Sequence, residues 1–472
     1  MNRPIRRVAL VAMLMTFALL ANVCVNYLAR GDSLNAHAQN RRVTDAAFAQ
    51  DRGAIMVGNT AIAETVAAKD QFQFQRHYPQ GELYAPVTGY FSYLFGSSEL
   101  EQSYGSQLSG NDDSQFVNRL IDLATGAKPK GASIQTTLNA KAQQAAAKAL
   151  GNKKGAVVAL NPKTGAILAM VSSPSFDPND LATHKLDDST AAWKKLTGDS
   201  KNRPMANRAT REIFPPGSTF KVIVSAAALE AGYEPDSELD TSSFRLPGST
   251  VTINTTCGDR QTLRRSLALS CNSAFARLGV KLGANALREQ AEKFGFGTKP
   301  LSDIGSVASR FPDQLDEAQT GLASIGGFDV AATPLQMAMV SAAVRNDGIV
   351  MQPYLVESVR SADLQVLSQT RPSQLRLATS SANAAKLRQM MVDVVANGTG
   401  WRARVSGVTV GGKTGTANSD NVRTPYAWFT AWAEDPDVAV CAFVQDAEME
   451  ATDVAGGRVA APIAKAVIEA LR

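Results

Sequence analysis

Three short stretches of the 472-residue sequence combine hydroxyls, lysines and an amide in patterns that suit nucleophilic catalysis. The first is Phe214-Pro215-Pro216-Gly217-Ser218-Thr219-Phe220-Lys221-Val222. Its two prolines and glycine cannot continue a helix, whereas the residues from Thr219 onward form one readily, so Ser218 is expected at a helix N-terminus. There the helix dipole and unpaired amides favour an attacking oxygen and the oxyanion it generates. Lys221, three residues on, shares a helix face with Ser218 and, as a neutral amine, can take the serine proton. Neutrality is costly: bringing a lysine from about 10.4 to near 7 takes on the order of 4 kcal/mol. Burial and a second cation both push that way. Val410-Gly411-Gly412-Lys413-Thr414-Gly415-Thr416-Ala417 offers the second cation. Glycines in a strand admit close approach, here of a substrate lying along the edge, with the Thr414 and Thr416 hydroxyls available to a carboxylate. In Leu269-Ser270-Cys271-Asn272-Ser273-Ala274-Phe275, Ser270 can relay a proton between Lys221 and a leaving amine, and Asn272 can hold a substrate amide.

Each piece has a plainer reading. Ser-x-x-Lys arises by chance, Ser-x-Asn also starts at Ser33, Ser109, Ser200, Ser381 and Ser419, and Lys-Thr-Gly can be a surface turn. Ser218 and Lys221 nevertheless form the single Ser-x-x-Lys pair in the chain. The order and flanks of the three stretches together are not an accident of composition. The rest of the composition agrees. Three histidines (His37, His77, His184) and four cysteines (Cys24, Cys257, Cys271, Cys441) show no CxxC, HxxxH or HExxH spacing. That argues against a zinc or di-iron site and against a Ser-His-Asp hydrolase. A net charge of +5 without a basic stripe argues against nucleic-acid binding.

The elements that must position these residues follow from the wider pattern. A chain of this length is too long for one core, and 44% hydrophobic with 19% charged residues is an ordinary folded composition. Arg3, Arg6 and Arg7 precede an apolar run from Val8 to Val25 broken only by Thr16 and Asn22. Eighteen helical residues rise about 27 Å, enough to span a bilayer. The arginine bias, against Arg30 after the run, places the N-terminus in the cytoplasm and the remainder outside. A cleaved signal peptide is the alternative, with Ala36-His37-Ala38 as the cleavage site; the run exceeds the usual signal core of about 7 to 15 residues. Asn22-Val23-Cys24 lacks the small residues expected before a lipidated cysteine. The expected organisation is a tail at 1–7, an anchor at 8–28, a pedestal at 29–150 and a large domain at 151–472. In the pedestal, Tyr78-Pro79-Gln80-Gly81 and Ala85-Pro86-Val87-Thr88-Gly89-Tyr90 read as turns between short extended pieces. Beyond it, Leu138 to Leu150 reads as a helix, and Gly155–Leu160 with Ala166–Val171 as an antiparallel hairpin. Helices are predicted at Ser218–Ala231, Thr262–Leu282, Ala284–Phe294, Pro334–Asn346 and Asn383–Ala396. Strands at Ala427–Ala433 and Val438–Gln445 and a terminal helix at Ala461–Leu471 follow.

The three motifs are those of penicillin-binding proteins and serine β-lactamases, and the similarity extends beyond them. Asn207-Arg208-Ala209, Thr333-Pro334-Leu335-Gln336-Met337-Ala338, Asn397-Gly398-Thr399-Gly400, Thr164-Gly165-Ala166-Ile167-Leu168-Ala169-Met170 and Pro174-Ser175-Phe176-Asp177-Pro178-Asn179 resemble class B penicillin-binding proteins. Asp51-Arg52-Gly53-Ala54-Ile55 and Pro86-Val87-Thr88-Gly89-Tyr90 look most like the actinobacterial division-type members. No glycosyltransferase domain fits between the anchor and Gly131. The resemblance implies an α/β (α+β) serine β-lactamase/transpeptidase-like fold, with an antiparallel sheet flanked by helices and an all-helical subdomain. It implies a peptidoglycan D,D-transpeptidase whose Ser218 attacks the penultimate D-Ala carbonyl, with Lys221, Ser270 and Lys413 as the other catalytic residues. Asn272, Thr414, Gly415 and Thr416 would bind substrate, and the backbone N–H groups of Ser218 and Thr416 would form the oxyanion hole. The implied partners are stem peptides on a lipid-linked precursor, β-lactams, a membrane glycan polymerase and division proteins. The family's Ile-Gly-Gln-Gly is replaced here by Ile325-Gly326-Gly327-Phe328, which leaves that loop's shape open.

Rival readings stay in view. A class A β-lactamase needs a further glutamate for its deacylating water. Between Ser270 and Lys413 no Glu-x-x-x-Asn occurs: Glu289, Glu292, Glu317 and Glu357 are followed four residues on by Lys293, Phe296, Gly321 and Ser361. A D,D-carboxypeptidase shares the chemistry, though the anchor and pedestal favour a transpeptidase. A β-lactam sensor or an inactive division scaffold is the non-enzymatic alternative. Export places Cys257 and Cys271 in an oxidising compartment, where a disulfide would pin the segment leading into Ser270; two free buried thiols are the alternative.

Overall fold

The computed structural model describes residues 3–30, 45–46, 48–115, 130–417, 425–447, 450 and 453–472. The apolar run forms the helix Arg3–Ala29, of which Pro4–Asn26 is long and apolar enough to cross a membrane and is not buried by the rest of the chain. The candidate cleavage site Ala36-His37-Ala38 lies outside the described residues.

The Lys413 stretch is the edge strand of an antiparallel sheet of five strands. Its order is Val410–Ala417, Tyr426–Ala433, Val438–Asp446, Lys154–Leu160, Ile167–Ser173. The last two form the expected hairpin, tightened by the Asn161 side chain accepting from the amides of Lys163 and Thr164. Strands from distant parts of the chain meet where Val438–Asp446 pairs with Lys154–Leu160. Strand alternation puts Gly411, Lys413 and Gly415 opposite Trp432, Thr430 and Trp428, facing the core built around the helices Lys221–Glu230 and Pro334–Arg345. The other face, with Ala427, Phe429 and Ala431, packs on the terminal helix Gly456–Ala470 and the helix Ala140–Leu150. Asn139 caps that last helix, and its Gln143 amide exchanges hydrogen bonds of 2.8 and 2.9 Å with the Met170 backbone. The helix expected with the pedestal therefore rests on the catalytic sheet.

Two expectations about local structure are corrected. Ala85-Pro86-Val87-Thr88 is not a turn but the second half of the helix Gly81–Thr88. Burial of Tyr84, Ala85 and Val87 outweighs the amide proton that Pro86 lacks in so short a helix. The predicted helix Thr262–Leu282 is two helices, Leu263–Leu269 and Asn272–Leu282, broken at Ser270.

The pedestal and the catalytic unit share a second sheet. Ile55–Val57, Thr60–Ala67, Phe74–His77 and Ser133–Thr136 are continued by Val356–Arg360 and Val366–Gln369. Tyr104 donates to Asp303 at 2.8 Å, Asp303 accepts from Leu355 N, and Glu99 pairs with Arg211 at 3.0 Å across the same junction. Inside the pedestal, Glu101 is fully buried between Arg52 (2.7 Å) and Arg76 (2.6 Å) and accepts from the Tyr78 hydroxyl. Burial alone would raise this carboxyl, but Arg76 and Arg52 overcome it and hold it below the ordinary glutamate range. Removing the Glu101 carboxylate would leave two buried guanidinium charges with only neutral carbonyl and hydroxyl acceptors. We expect Glu101→Ala to lower unfolding free energy by about 3–5 kcal/mol in denaturant titration; an effect below 1 kcal/mol would show that the triad does not hold the pedestal.

Candidate active site

Ser218 does not open an α-helix directly. Gly217–Phe220 forms one 3₁₀ turn, and the α-helix runs from Lys221 to Glu230. Gly217 has φ +52° and donates its amide to Gly326 O at 3.1 Å; a Cβ there would stand 2.7 Å from Thr416 O. Gly326 has φ +78°, and a Cβ on it would fall 2.0 Å from Gly217 O. The segment Ile325-Gly326-Gly327-Phe328 is thus the brace behind the nucleophile, and only its first glycine touches the Ser218 turn.

The break lies in the backbone conformation of Ser270. Ser270 takes a left-handed conformation (φ +63°, ψ 41°) as the cap of Leu263–Leu269, and Cys271 then starts Asn272–Leu282. A serine in this region stores strain that the surroundings must hold. Cys271 is disulfide-bonded to Cys257, with their Cα atoms 5.9 Å apart. The kink turns the Ser270 and Asn272 side chains toward Lys221.

The two buried lysines meet at Ser270. Lys413 Nζ donates to Ser270 Oγ at 2.9 Å and to Thr414 O at 3.0 Å. Lys221 Nζ lies 2.6 Å from Asn272 Oδ1, 2.8 Å from Ser270 O and 3.3 Å from Ser270 Oγ. Among the described residues, the hydrogen bonds of Lys221 therefore run to Ser270 and Asn272 rather than to Ser218. Burial, and then the neighbouring Lys413 charge, push the Lys221 amine well below the usual lysine range. Burial brings Lys413 down to about 7. A neutral Lys221 amine can donate two of its contacts and accept the Ser270 hydroxyl proton as the third.

Thr414 Oγ1 lies 2.7 Å from Thr399 Oγ1, while the exposed Thr416 accepts from Gly456 N at 3.3 Å. Gly415 packs so closely that a Cβ would stand 2.7 Å from Pro216 O, which sets the Ser218 turn against this strand. Ser218, Ser270, Asn272, Thr414 and Thr416 line one open cleft of about 770 Å³. The cleft also takes in Trp401, Arg402 and Gly456-Gly457, for which no role was read from the sequence. The glycine pair was a usable signal, since two glycines just before an apolar helix mark a close approach. Here Gly457 abuts Thr399 O and Gly456 abuts Gly415.

A serine on a tight turn, set beside a glycine-lined edge strand and sharing its cleft with a second serine on which two buried lysines meet, defines a serine acyl-transferase of the penicillin-recognising fold. Residues 155–469 match the penicillin binding protein transpeptidase domain, and residues 52–134 match the penicillin binding protein A dimerisation domain. The chain is 43% identical to the peptidoglycan D,D-transpeptidase PbpA of Mycolicibacterium smegmatis and 42% identical to that of Mycobacterium tuberculosis, covering all of this chain and 99% of each relative. Its structure is similar to that of penicillin-binding protein A from M. tuberculosis in its ceftriaxone acyl-enzyme complex (TM-score 0.87, 41% identity) and its penicillin G acyl-enzyme complex (TM-score 0.84, 42% identity). These similarities cover 90% and 89% of this chain and 99% of each of those chains. The chain belongs to the class B penicillin-binding proteins and resembles penicillin-binding protein A.

The lowered Lys413 has a thermodynamic consequence. Between about 7 and its unfolded value near 10.4 the unfolded chain binds the extra proton, so stability rises with pH across that window. Lys413→Met removes this share. From pH 7 to pH 10 the unfolding free energy from denaturant titration should therefore rise more for the wild type than for Lys413→Met, by up to on the order of 4 kcal/mol. Equal rises would place the Lys413 proton in the ordinary lysine range.

Proposed function

We infer that this chain cross-links peptidoglycan stem peptides as a monofunctional serine D,D-transpeptidase, is itself acylated by β-lactams, and uses the four residues Ser218, Lys221, Ser270 and Lys413 for catalysis. The observation that carries the assignment is the pair of buried amines, Lys221 and Lys413, that meet at Ser270 and Asn272 on the cleft that Ser218 lines. Ser218 Oγ attacks the penultimate D-Ala carbonyl carbon and its proton passes to the neutral Lys221 amine. The backbone N–H groups of Ser218 and Thr416 hold the oxyanion, for which the contact between the Ser218 turn and the 415–416 backbone provides the setting. Collapse breaks the C–N bond, and the leaving D-Ala amine takes its proton through Ser270 and Lys221. A stem-peptide amine then attacks the acyl carbon, the C–Oγ bond breaks, and Ser218 regains its proton. Asn272 holds the donor amide, Thr414 and Thr416 the terminal carboxylate, and Gly415 lets the edge strand close on the Ser218 turn, which sets the neighbouring Thr416 in the cleft.

Among the described residues, no Asp or Glu lines the cleft, which supports a long-lived acyl-enzyme over the base-assisted hydrolysis of a β-lactamase. The helix Arg3–Ala29 anchors the chain, with Arg3, Arg6 and Arg7 cytoplasmic and the catalytic unit outside. The pedestal spans the residues between this anchor and the catalytic unit, which takes in the helix Ala140–Leu150. A membrane glycan polymerase and division proteins are the partners that such a placement suits. A fluorescent penicillin should label the purified protein covalently, the adduct should persist for many minutes, and Ser218→Ala should abolish labelling. Release within seconds would instead make the chain a β-lactamase, and an unlabelled wild type would make it a scaffold.

A further inference from the structure

The cleft contains an aromatic ring and a cation that the steps above do not use. Trp401 and Arg402 lie on the single turn Trp401–Ala403 that follows the helix Ser381–Asn397. The backbone leading into this turn is fastened on three sides. Thr399 N donates to Ala268 O at 3.2 Å and Arg265 to Asn397 O at 3.1 Å, on the helix before Ser270. Thr399 Oγ1 meets Thr414 Oγ1 at 2.7 Å on the edge strand, and Gly457 of the terminal helix abuts Thr399 O. On this fixed turn Trp401 stays 53% exposed, and the Arg402 guanidinium stands 5.0 Å over its ring. Among the described residues, Arg402 has no ion-pair partner, whereas Arg458, the other cation of the cleft rim, is committed to Asp453 at 2.5 Å.

A guanidinium held over an indole keeps its N–H groups for another partner, and a carboxylate can meet them through two parallel hydrogen bonds. Its location says whose carboxylate. Thr414, which the reaction above assigns to the terminal carboxylate of the departing D-Ala, is hydrogen-bonded to Thr399 only two residues before Trp401. The pair therefore lies on the leaving-group side of Ser218. By microscopic reversibility the incoming amine follows the path by which the leaving amine departs. The end of the acceptor that mimics D-Ala reuses Thr414, and the remainder of the acceptor, which D-Ala lacks, extends outward over this turn.

We propose that Trp401 and Arg402 form the acceptor subsite, with the ring as a platform for the second stem peptide and Arg402 binding a free carboxylate on it away from the reacting amine. The proposal rests on the reading of Ser218 as the acyl carrier. The test uses the full-length protein, acylated by a thioester analogue of the acyl-D-Ala donor and offered three acceptors: D-alanine, a stem tripeptide with its glutamyl carboxylate free, and the same tripeptide as the primary amide. Initial rates of aminolysis give the acid-to-amide ratio within each variant, so any change in donor acylation cancels. The wild type should prefer the acid by about tenfold, as for a charge-assisted hydrogen bond. Arg402→Gln should bring the ratio near one, and Trp401→Ala should slow both tripeptides relative to D-alanine. A wild type indifferent to the carboxylate, a preference surviving in Arg402→Gln, or equal losses for tripeptides and D-alanine in Trp401→Ala would each overturn the subsite. Failure of the wild type to form any acyl-enzyme would overturn the acyl-transfer reading, and the subsite with it.

Discussion

Two amines buried around one serine hydroxyl are the constraint on which this structure depends. Lys221 and Lys413 are both fully buried, and both reach Ser270 Oγ. Neither has a carboxylate partner among its hydrogen bonds. In most folds a buried ammonium without a counter-ion is expelled or paired; here burial itself favours the deprotonated form, and one lysine's charge reinforces the effect on the other. The fold must keep this pocket dry. The sheet supplies one wall through Thr430, which faces Lys413 and bonds to Ser341 and Met337 O, and Phe275 supplies another at 5.3 Å from Lys221 Nζ.

A dry pocket must still open on a cleft that admits a peptide, and close backbone approach reconciles the two. The Ser218 turn lies between Gly326 on one side and the 415–416 backbone on the other, at distances that leave no room for a methyl group. Side chains at those positions would separate the turn from the strand and let water reach the lysines. The left-handed Ser270 works in the same sense. It ends one helix and permits another to begin at Asn272, so that two functional side chains point to one amine from a segment tied back by Cys257–Cys271. Its strain is borne by the helices on either side and by the lysine bonds, which are therefore structural as well as chemical.

The sequence made the chemistry legible more readily than the local geometry. Ser-x-x-Lys, Ser-x-Asn and Lys-Thr-Gly carry their meaning in residue type, so the cluster and its strand could be read before any contact was known. The 3₁₀ turn at Gly217–Phe220 could not, because proline and glycine mark where a helix cannot run without fixing what precedes it. Thr262–Leu282 reads as one helix because its apolar spacing is continuous, and only tertiary contacts hold Ser270 in the conformation that breaks it. The helix Gly81–Thr88 was hidden by Pro86 for the converse reason, since burial of its neighbours overrode a local penalty. Trp401 was hidden too, because an isolated exposed aromatic has no pattern until the backbone around it is seen to be fixed.

The pedestal's connection to the catalytic unit follows the same logic at larger scale. Ser133–Thr136 pairs in parallel with Ile55–Val57 on one side and antiparallel with Val356–Arg360 on the other, so one continuous ladder crosses between the two units. A sheet is stiff along its hydrogen bonds, and the buried triad of Arg52, Arg76 and Glu101 stiffens the pedestal side further. Gln143 reinforces the joint by donating both to Leu83 O in the pedestal and to Met170 O in the catalytic sheet. Bending between the two units would have to break this ladder, so a pedestal joined in this way resists it.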